Sequence, residues 1–175
     1  MSTASAQRPN PLPPRRDTRA ALATVRWGRE VPATLRLLGA LEDADYADVV
    51  TATLDATPTE PEQVVHAVLD GLPRGLFVLI VFVQRAFLGF RLKLRPSADR
   101  LLGWKIAARE ESWIRIETSS WFMTAHVVMH VEEGRVSLAS FIRYDRRLAA
   151  FVWPPVCLVH RQVGLALVRR AIRTL

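Results

Sequence analysis

Between residues 104 and 144 apolar and polar side chains alternate with a period of two, and three separate turns place the same residues on one face. A two-residue loop at Glu133-Gly134 pairs Val131 with Val136, Met129 with Leu138, Val127 with Ser140, Ala125 with Ile142 and Met123 with Tyr144. A turn at Ser119-Ser120 sets Thr118 opposite Trp121, Ile116 opposite Met123 and Ile114 opposite Ala125. A looser turn at residues 110–112 sets Trp104 opposite Thr118, Ile106 opposite Ile116 and Ala108 opposite Ile114, with Lys105 facing Glu117 on the other side. A one-residue slip would turn every one of these side chains over, so agreement among the turns predicts a four-stranded antiparallel meander with one apolar face. The opposite face carries Thr124, His126, His130, Glu132, Arg135, Ser137 and Arg143, interrupted by Val128, Ala139 and Phe141.

The remaining elements follow from pattern and punctuation. Residues 32–41 suit a short helix through Leu35, Leu37, Leu38 and Leu41. Residues 46–54 (YADVVTATL) read as a strand whose buried face the pattern does not assign. Thr59-Glu60-Pro61-Glu62 forms a capping box, predicting a helix to about Asp70 that buries Val64, Val65, Val68 and Leu69 and stops at Gly71 and Pro73. Leu76, Ile80, Val83, Phe87, Phe90 and Leu94 make a helical stripe, as expected of a core helix laid on a sheet. The uninterrupted apolar run there ends at Val83, short of the ~20 residues a membrane span needs. An interfacial helix on a lipid surface is the minor alternative. A long last helix starts near Pro154-Pro155 and runs toward Leu175, with Val156, His160, Val163, Gly164, Leu167 and Ala171 on one side. The predicted class is α+β, a curved antiparallel sheet wrapped around a long C-terminal helix.

Composition narrows the setting. At 175 residues, half of them hydrophobic, the chain is expected to form one domain over residues 21–175, behind a disordered Pro- and Arg-rich tail at residues 1–20. The tail's Arg15-Arg16 pair lacks the apolar stretch of an export signal, because Arg19, Arg26, Arg29 and Glu30 follow. Cys157 is the single cysteine, so no intrachain disulfide forms, and a cytoplasmic location is expected. Net charge is +7, yet residues 42–70 hold eight acidic residues and no lysine or arginine, leaving +15 on the rest. Such polarity favours an anionic partner through the basic part.

Several short motifs sharpen the picture: Asp45-Tyr46-Ala47-Asp48, Gly103-Trp104-Lys105, Tyr144-Asp145-Arg146, and Val159-His160-Arg161 followed by Arg169-Arg170-Ala171. Together with the element order they resemble a bacterial family of unknown function related to the START and polyketide-cyclase-like (SRPBCC) helix-grip superfamily, over roughly residues 40–175. Members carry Asp-Tyr-Ala-Asp near the first strand and Pro-x-His-Arg at the start of the last helix; here the proline is displaced to Pro154 and Pro155. The resemblance implies a helix-grip fold with an apolar cavity between sheet and helix, and no established reaction.

His160 is the foremost candidate for that cavity, since an imidazole within an apolar stripe projects inward and titrates near neutrality. The alternative for it is a core histidine bonded to a carbonyl or to Tyr144. Tyr144, Ser140 and Thr118 are the other inner-face polar groups, and Trp104, Trp121, Met123, Val163 and Leu167 complete the expected ligand-binding set. His126 and His130 sit about 13 Å apart along a strand and cannot share one metal. No Cys/His cluster, phosphate loop or nucleophile elbow is present, so neither metal nor cofactor is expected. The favoured function is a binding module for a small apolar molecule or lipid. The alternatives are a cyclase- or hydrolase-like enzyme using His160 and Tyr144, and a basic-surface binder of anionic lipid or nucleic acid. Nucleic acid is disfavoured because the arginines lack interleaved exposed aromatics, while peripheral membrane contact stays open.

Overall fold

The computed structural model describes residues 24–53, 60–70, 72–95 and 97–172. Among the described residues seven strands form one antiparallel sheet: β1 (Val25–Gly28), β2 (Tyr46–Thr53), β3 (Arg100–Leu101), β4 (Trp104–Arg109), β5 (Trp113–Ser119), β6 (Thr124–Glu132) and β7 (Arg135–Arg143). Their order is β1-β2-β7-β6-β5-β4-β3, so the first hairpin joins the meander through β2 and β7. Helix α1 (Ala33–Gly39) lies between β1 and β2, helices α2 (Pro61–Asp70) and α3 (Arg74–Phe82) lie between β2 and β3, and α4 (Leu148–Ile172) closes the chain. The architecture is α+β and helix-grip-like, a curved sheet around a long C-terminal helix.

Both faces of the central strands are covered, which explains two features of the pattern. Helix α1 packs on the outer face, where Val31 and Leu35 meet Val49, Val128, Ala139 and Phe141. Those last three residues are the ones that interrupt the polar face in the sequence, and α1 is what they bury against. Strand β2 lies under α1 on one side and α4 on the other, so residues 46–50 and Ala52 are all buried. A strand buried on both sides shows no alternation, and its faces could not be assigned from pattern. The C-terminal end of α1 is held by cross-sheet donors: Arg115 Nη1 donates to Leu38 O at 3.0 Å and His126 Nδ1 to Gly39 O at 2.8 Å. These bonds satisfy carbonyls that the helix itself leaves free.

The β6–β7 hairpin has the expected register from Glu132/Arg135 to Ala125/Ile142. Pairing ends at Thr124/Arg143, so Met123 and Tyr144 lie beyond the ladder. The β5–β6 register differs from expectation: Thr118 pairs with Ala125, Ile116 with Val127 and Ile114 with Met129. Residues 120–123 form a longer loop, closed by Ser120 N donating to Met123 O at 2.8 Å, with the Ser120 hydroxyl over the turn. The slip along the partner is an even number of residues, which preserves the apolar face. In β4–β5, Ile106 pairs with Ile116 and Lys105 with Glu117, but an irregularity between Ile106 and Ala108 sets Ala108 against Arg115.

Two helices depart from their predicted bounds. The stripe over residues 76–94 is only half helix. Helix α3 passes into a π-helical turn (Val83–Phe87), and Gly89 at φ +64° ends it. Residues 88–94 then run on in neither helix nor strand, with Leu88, Phe90 and Leu92 buried and Arg91 and Lys93 exposed. No residue of α3 is fully buried, so it is not a core helix in the expected sense. Helix α4 begins at Leu148, before the prolines, and carries Pro154 and Pro155 inside it. Each proline removes one backbone donor to the preceding turn. Val64 and Val65 of α2 are buried as expected; Thr59 of its capping box, and the expected tail at residues 1–20, lie outside the described residues.

Candidate functional site

A cavity of about 250 Å³ lies between the inner face of the sheet, α3 and α4. The period of two in β5, β6 and β7 delivers Ile116, Ala125, Val127, Met129, Leu138 and Ile142 to its floor. The 3.6 period of α4 delivers Val156, Val163 and Leu167 to its roof, and Leu76, Ile80 and Val83 come from α3 and its π turn. The most exposed lining residues, Val159 of α4 at 58% and Leu79 of α3 at 53%, put the opening between these two helices. Polar side chains in the wall are few: Gln84, whose Oε1 accepts the Trp104 indole N–H at 3.1 Å, and the pair Ser140 and His160.

That pair belongs to a larger polar cluster built by strand pairing. The β2–β7 register sets Asp48 opposite Ser140, and α4 crosses above them with His160. Ser140 Oγ lies 3.2 Å from His160 Nε2. Asp48, only 2% exposed, reaches the same Nε2 with Oδ1 at 3.9 Å. Its other oxygen, Oδ2, accepts the Tyr46 hydroxyl at 2.6 Å and the Trp27 indole N–H at 3.1 Å. Cys157 Sγ in turn donates to the Tyr46 hydroxyl at 3.0 Å. The Trp153 ring packs edge-on to Tyr46 at 5.3 Å and against the His160 ring at 5.4 Å. Tyr46 and Asp48 share a face because they are two residues apart on a strand.

Burial pulls the His160 pKa below its ordinary value, and nearby Asp48 opposes that shift only in part. The imidazole is therefore neutral at pH 7. Its side chain retains 35% of its surface and lines the cavity, so the ring is open to an occupant. Burial, then the hydrogen bond to Asp48, pushes the Tyr46 phenol upward, leaving it a permanent donor. Ser140 and Asp48 both address Nε2, whereas a nucleophilic serine relay needs them on opposite ring nitrogens. The geometry suits hydrogen bonding to a bound group, or transfer of a proton, rather than attack by Ser140.

Of the expected set, His160, Ser140, Trp104, Val163 and Leu167 line the cavity. Four do not. Tyr144 lies just past β7, its amide donating to Asp45 Oδ2 at 2.6 Å; it packs against the core cluster that includes Trp153 without lining the cavity, and burial raises its phenol pKa. Met123 is fully buried in the loop after β5. Thr118 lines a second pocket, with Arg91, Lys93 and Arg100, and Trp121 is 59% exposed with Arg146 against its ring. The residue sequence reasoning missed is Asp48, with its partners Tyr46 and Trp27. The spacing Tyr46-x-Asp48 carried a signal, but placing it required knowing that β2 pairs with β7. Among the described residues no group of three or more His, Cys, Asp or Glu side chains could hold a metal ion. No protein-family model, curated protein or solved structure matches the chain.

Proposed function

We propose that the protein binds a small, largely apolar molecule in the cavity between its sheet and its C-terminal helix. The observation that carries this reading is a largely apolar cavity of about 250 Å³ with few polar side chains, His160 and Ser140 paired among them. Pockets for small molecules share that character, a mostly apolar wall with few placed polar groups. Apolar burial supplies the affinity, ~25 cal/mol per Å² removed from water. The neutral imidazole and the Ser140 hydroxyl orient a single carbonyl or hydroxyl on the ligand. The volume falls just under the ~300 Å³ at which drug-sized ligands begin, which favours one ring system or a short alkyl chain. The resemblance to the START and polyketide-cyclase-like superfamily points the same way.

A second reading is supported by one specific feature, the buried Asp48 carboxyl beside His160. Such a couple suits general acid–base chemistry next to a ligand carbonyl, with His160 accepting the proton. Tyr144 has no part in it, being outside the wall.

Native mass spectrometry of the purified chain, followed by denaturing extraction, tests the binding reading. The expected result is a stoichiometric apolar compound that is lost from Val163→Trp, which fills the space, and weakened in His160→Phe. A chain that is empty on purification and shows no thermal shift across a panel of aromatic and alkyl ligands overturns it. Turnover of an identified ligand that disappears in His160→Gln with binding retained establishes the second reading.

A further inference from the structure

The two helices that flank the cavity, and the segments beside them, carry four exposed aromatic side chains. Phe82 is 58% exposed, Phe87 60%, Trp121 59% and Phe151 79%. Val81 of α3 and Val152 and Val156 of α4 pack against one core cluster, and the exposed Phe82 and Phe151 are the sequence neighbours of Val81 and Val152. Phe82 and Phe87 meet edge to face at 6.2 Å. Trp121 sits over Gly89, two residues past Phe87, and packs on Phe122 of the same cluster. Leu158 and Val159, at 66% and 58%, extend the apolar surface along α4 to the cavity rim.

The chain segments that carry Phe82, Phe87 and Phe151 have charges of one sign. Residues 72–98 contain five lysines or arginines and no acid, and residues 146–175 contain six arginines and no acid. Exposed Arg85 lies one helical turn past Phe82, and exposed Arg146 and Arg147 precede Phe151. Arg146 Nε donates to Trp121 O at 3.0 Å with its guanidinium 5.6 Å from that ring. Asp145, the acid next to Arg146 in sequence, is already held by Arg143 Nε at 2.8 Å and Thr124 Oγ1 at 2.6 Å.

We propose that this aromatic and arginine rim docks the protein on the surface of an anionic lipid bilayer, with the cavity opening facing the lipid. Aromatic rings with arginines beside them suit the boundary between acyl chains and headgroups, where the rings insert and the guanidinium groups meet phosphates. A second copy of the chain fits less well, because a symmetric contact would press Arg85, Arg146 and Arg147 against their own counterparts. Anionic headgroups neutralise them instead. Docking does not depend on what the cavity holds, so it can fail while the binding reading stands, and the reverse.

Co-sedimentation of the full chain with vesicles of phosphatidylcholine alone, and of phosphatidylcholine with ~30% phosphatidylglycerol, tests it. Binding is expected to the anionic vesicles, at least tenfold stronger than to neutral ones, and to weaken as salt is raised. The double variant Phe82→Asp with Phe151→Asp is expected to lose it at least tenfold with an unchanged melting temperature, since both side chains face solvent. Arg85→Glu with Arg147→Glu, which spares the apolar surface, is expected to do the same. The proposal is overturned if neither vesicle binds, if both variants bind like the parent, or if binding follows Arg15 and Arg16 of the tail instead. A dimer by light scattering that the Phe82 and Phe151 substitutions dissolve overturns it too, assigning the patch to a second copy.

Discussion

Asp48 is held by two donors in the same small volume, and that makes its substitution informative. Asp48→Ala leaves the Tyr46 hydroxyl and the Trp27 indole N–H, at 2.6 and 3.1 Å in the parent, without their acceptor. Stranding buried donors carries their desolvation cost, so urea denaturation is expected to show a loss of about 3 kcal/mol. Asp48→Asn keeps an acceptor and should lose clearly less; an Asp48→Ala variant as stable as the parent would mean that water replaces the carboxyl. His160 makes a separate prediction about pH. Its folded pKa lies below the ordinary 6.5, so the unfolded chain takes up a proton first. Stability contributed by the neutral ring is complete above that value, is lost as pH falls below it, and stops falling once pH passes the depressed folded pKa. Thermal melts of the parent between about pH 7.5 and about 5 should therefore drop more than those of His160→Gln, and parallel curves would show that His160 is no more buried than an ordinary surface histidine.

Two glycines separate the helices by how tightly they pack. A Cβ built on Gly39, at the end of α1, comes within 2.5 Å of the Phe141 ring, which is 2% exposed and has nowhere to go. Gly39→Ala is expected to cost ~1–3 kcal/mol by forcing that ring or the helix to shift. A Cβ on Gly164, inside α4, meets Val50 at an ordinary 3.7 Å. There Ala should stabilise by up to ~1 kcal/mol through helix propensity, as chemical denaturation can measure. The contrast also bears on what the sequence could reveal. The β6–β7 hairpin was legible because Glu133-Gly134 fixes the turn and alternation fixes the rest. The loop at residues 120–123 was not, because Ser120 closes it with its own hydroxyl and an even slip leaves the face pattern untouched. The helix and the irregular chain after it read as one stripe over residues 76–94, since Phe87, Phe90 and Leu94 fit a helical spacing although Leu88, Phe90 and Leu92 are the residues buried. Only Gly89 marked the break. His160, Val163 and Leu167 were legible as cavity residues from the last helix alone, whereas Asp48 needed a tertiary pairing that no local pattern encodes.

At the scale of the whole molecule the sheet and the α3 segment differ in what holds them. Strands β2, β6 and β7 are central, hydrogen-bonded on both edges, and contribute fully buried Ala52, Ala125, Val128 and Ala139. Helix α3 has no fully buried residue, and its inner side faces the cavity rather than packed atoms. An apolar space without an occupant forgoes dispersion contacts along its lining, and α3 is the wall with the fewest other attachments. Local opening should therefore begin there. In a native-state hydrogen-exchange experiment, amides of residues 78–87 are expected to exchange at least a hundredfold faster than those of β6 and β7. A ligand that fills the cavity restores the missing contacts on α3 and adds nothing to the hydrogen bonds of the sheet. Saturating ligand should then slow exchange at residues 78–87 selectively, by an amount that rises with ligand concentration according to its affinity. Equal protection of α3 and the sheet in the unliganded chain would mean that the wall is already fixed, and that any ligand must enter by another route.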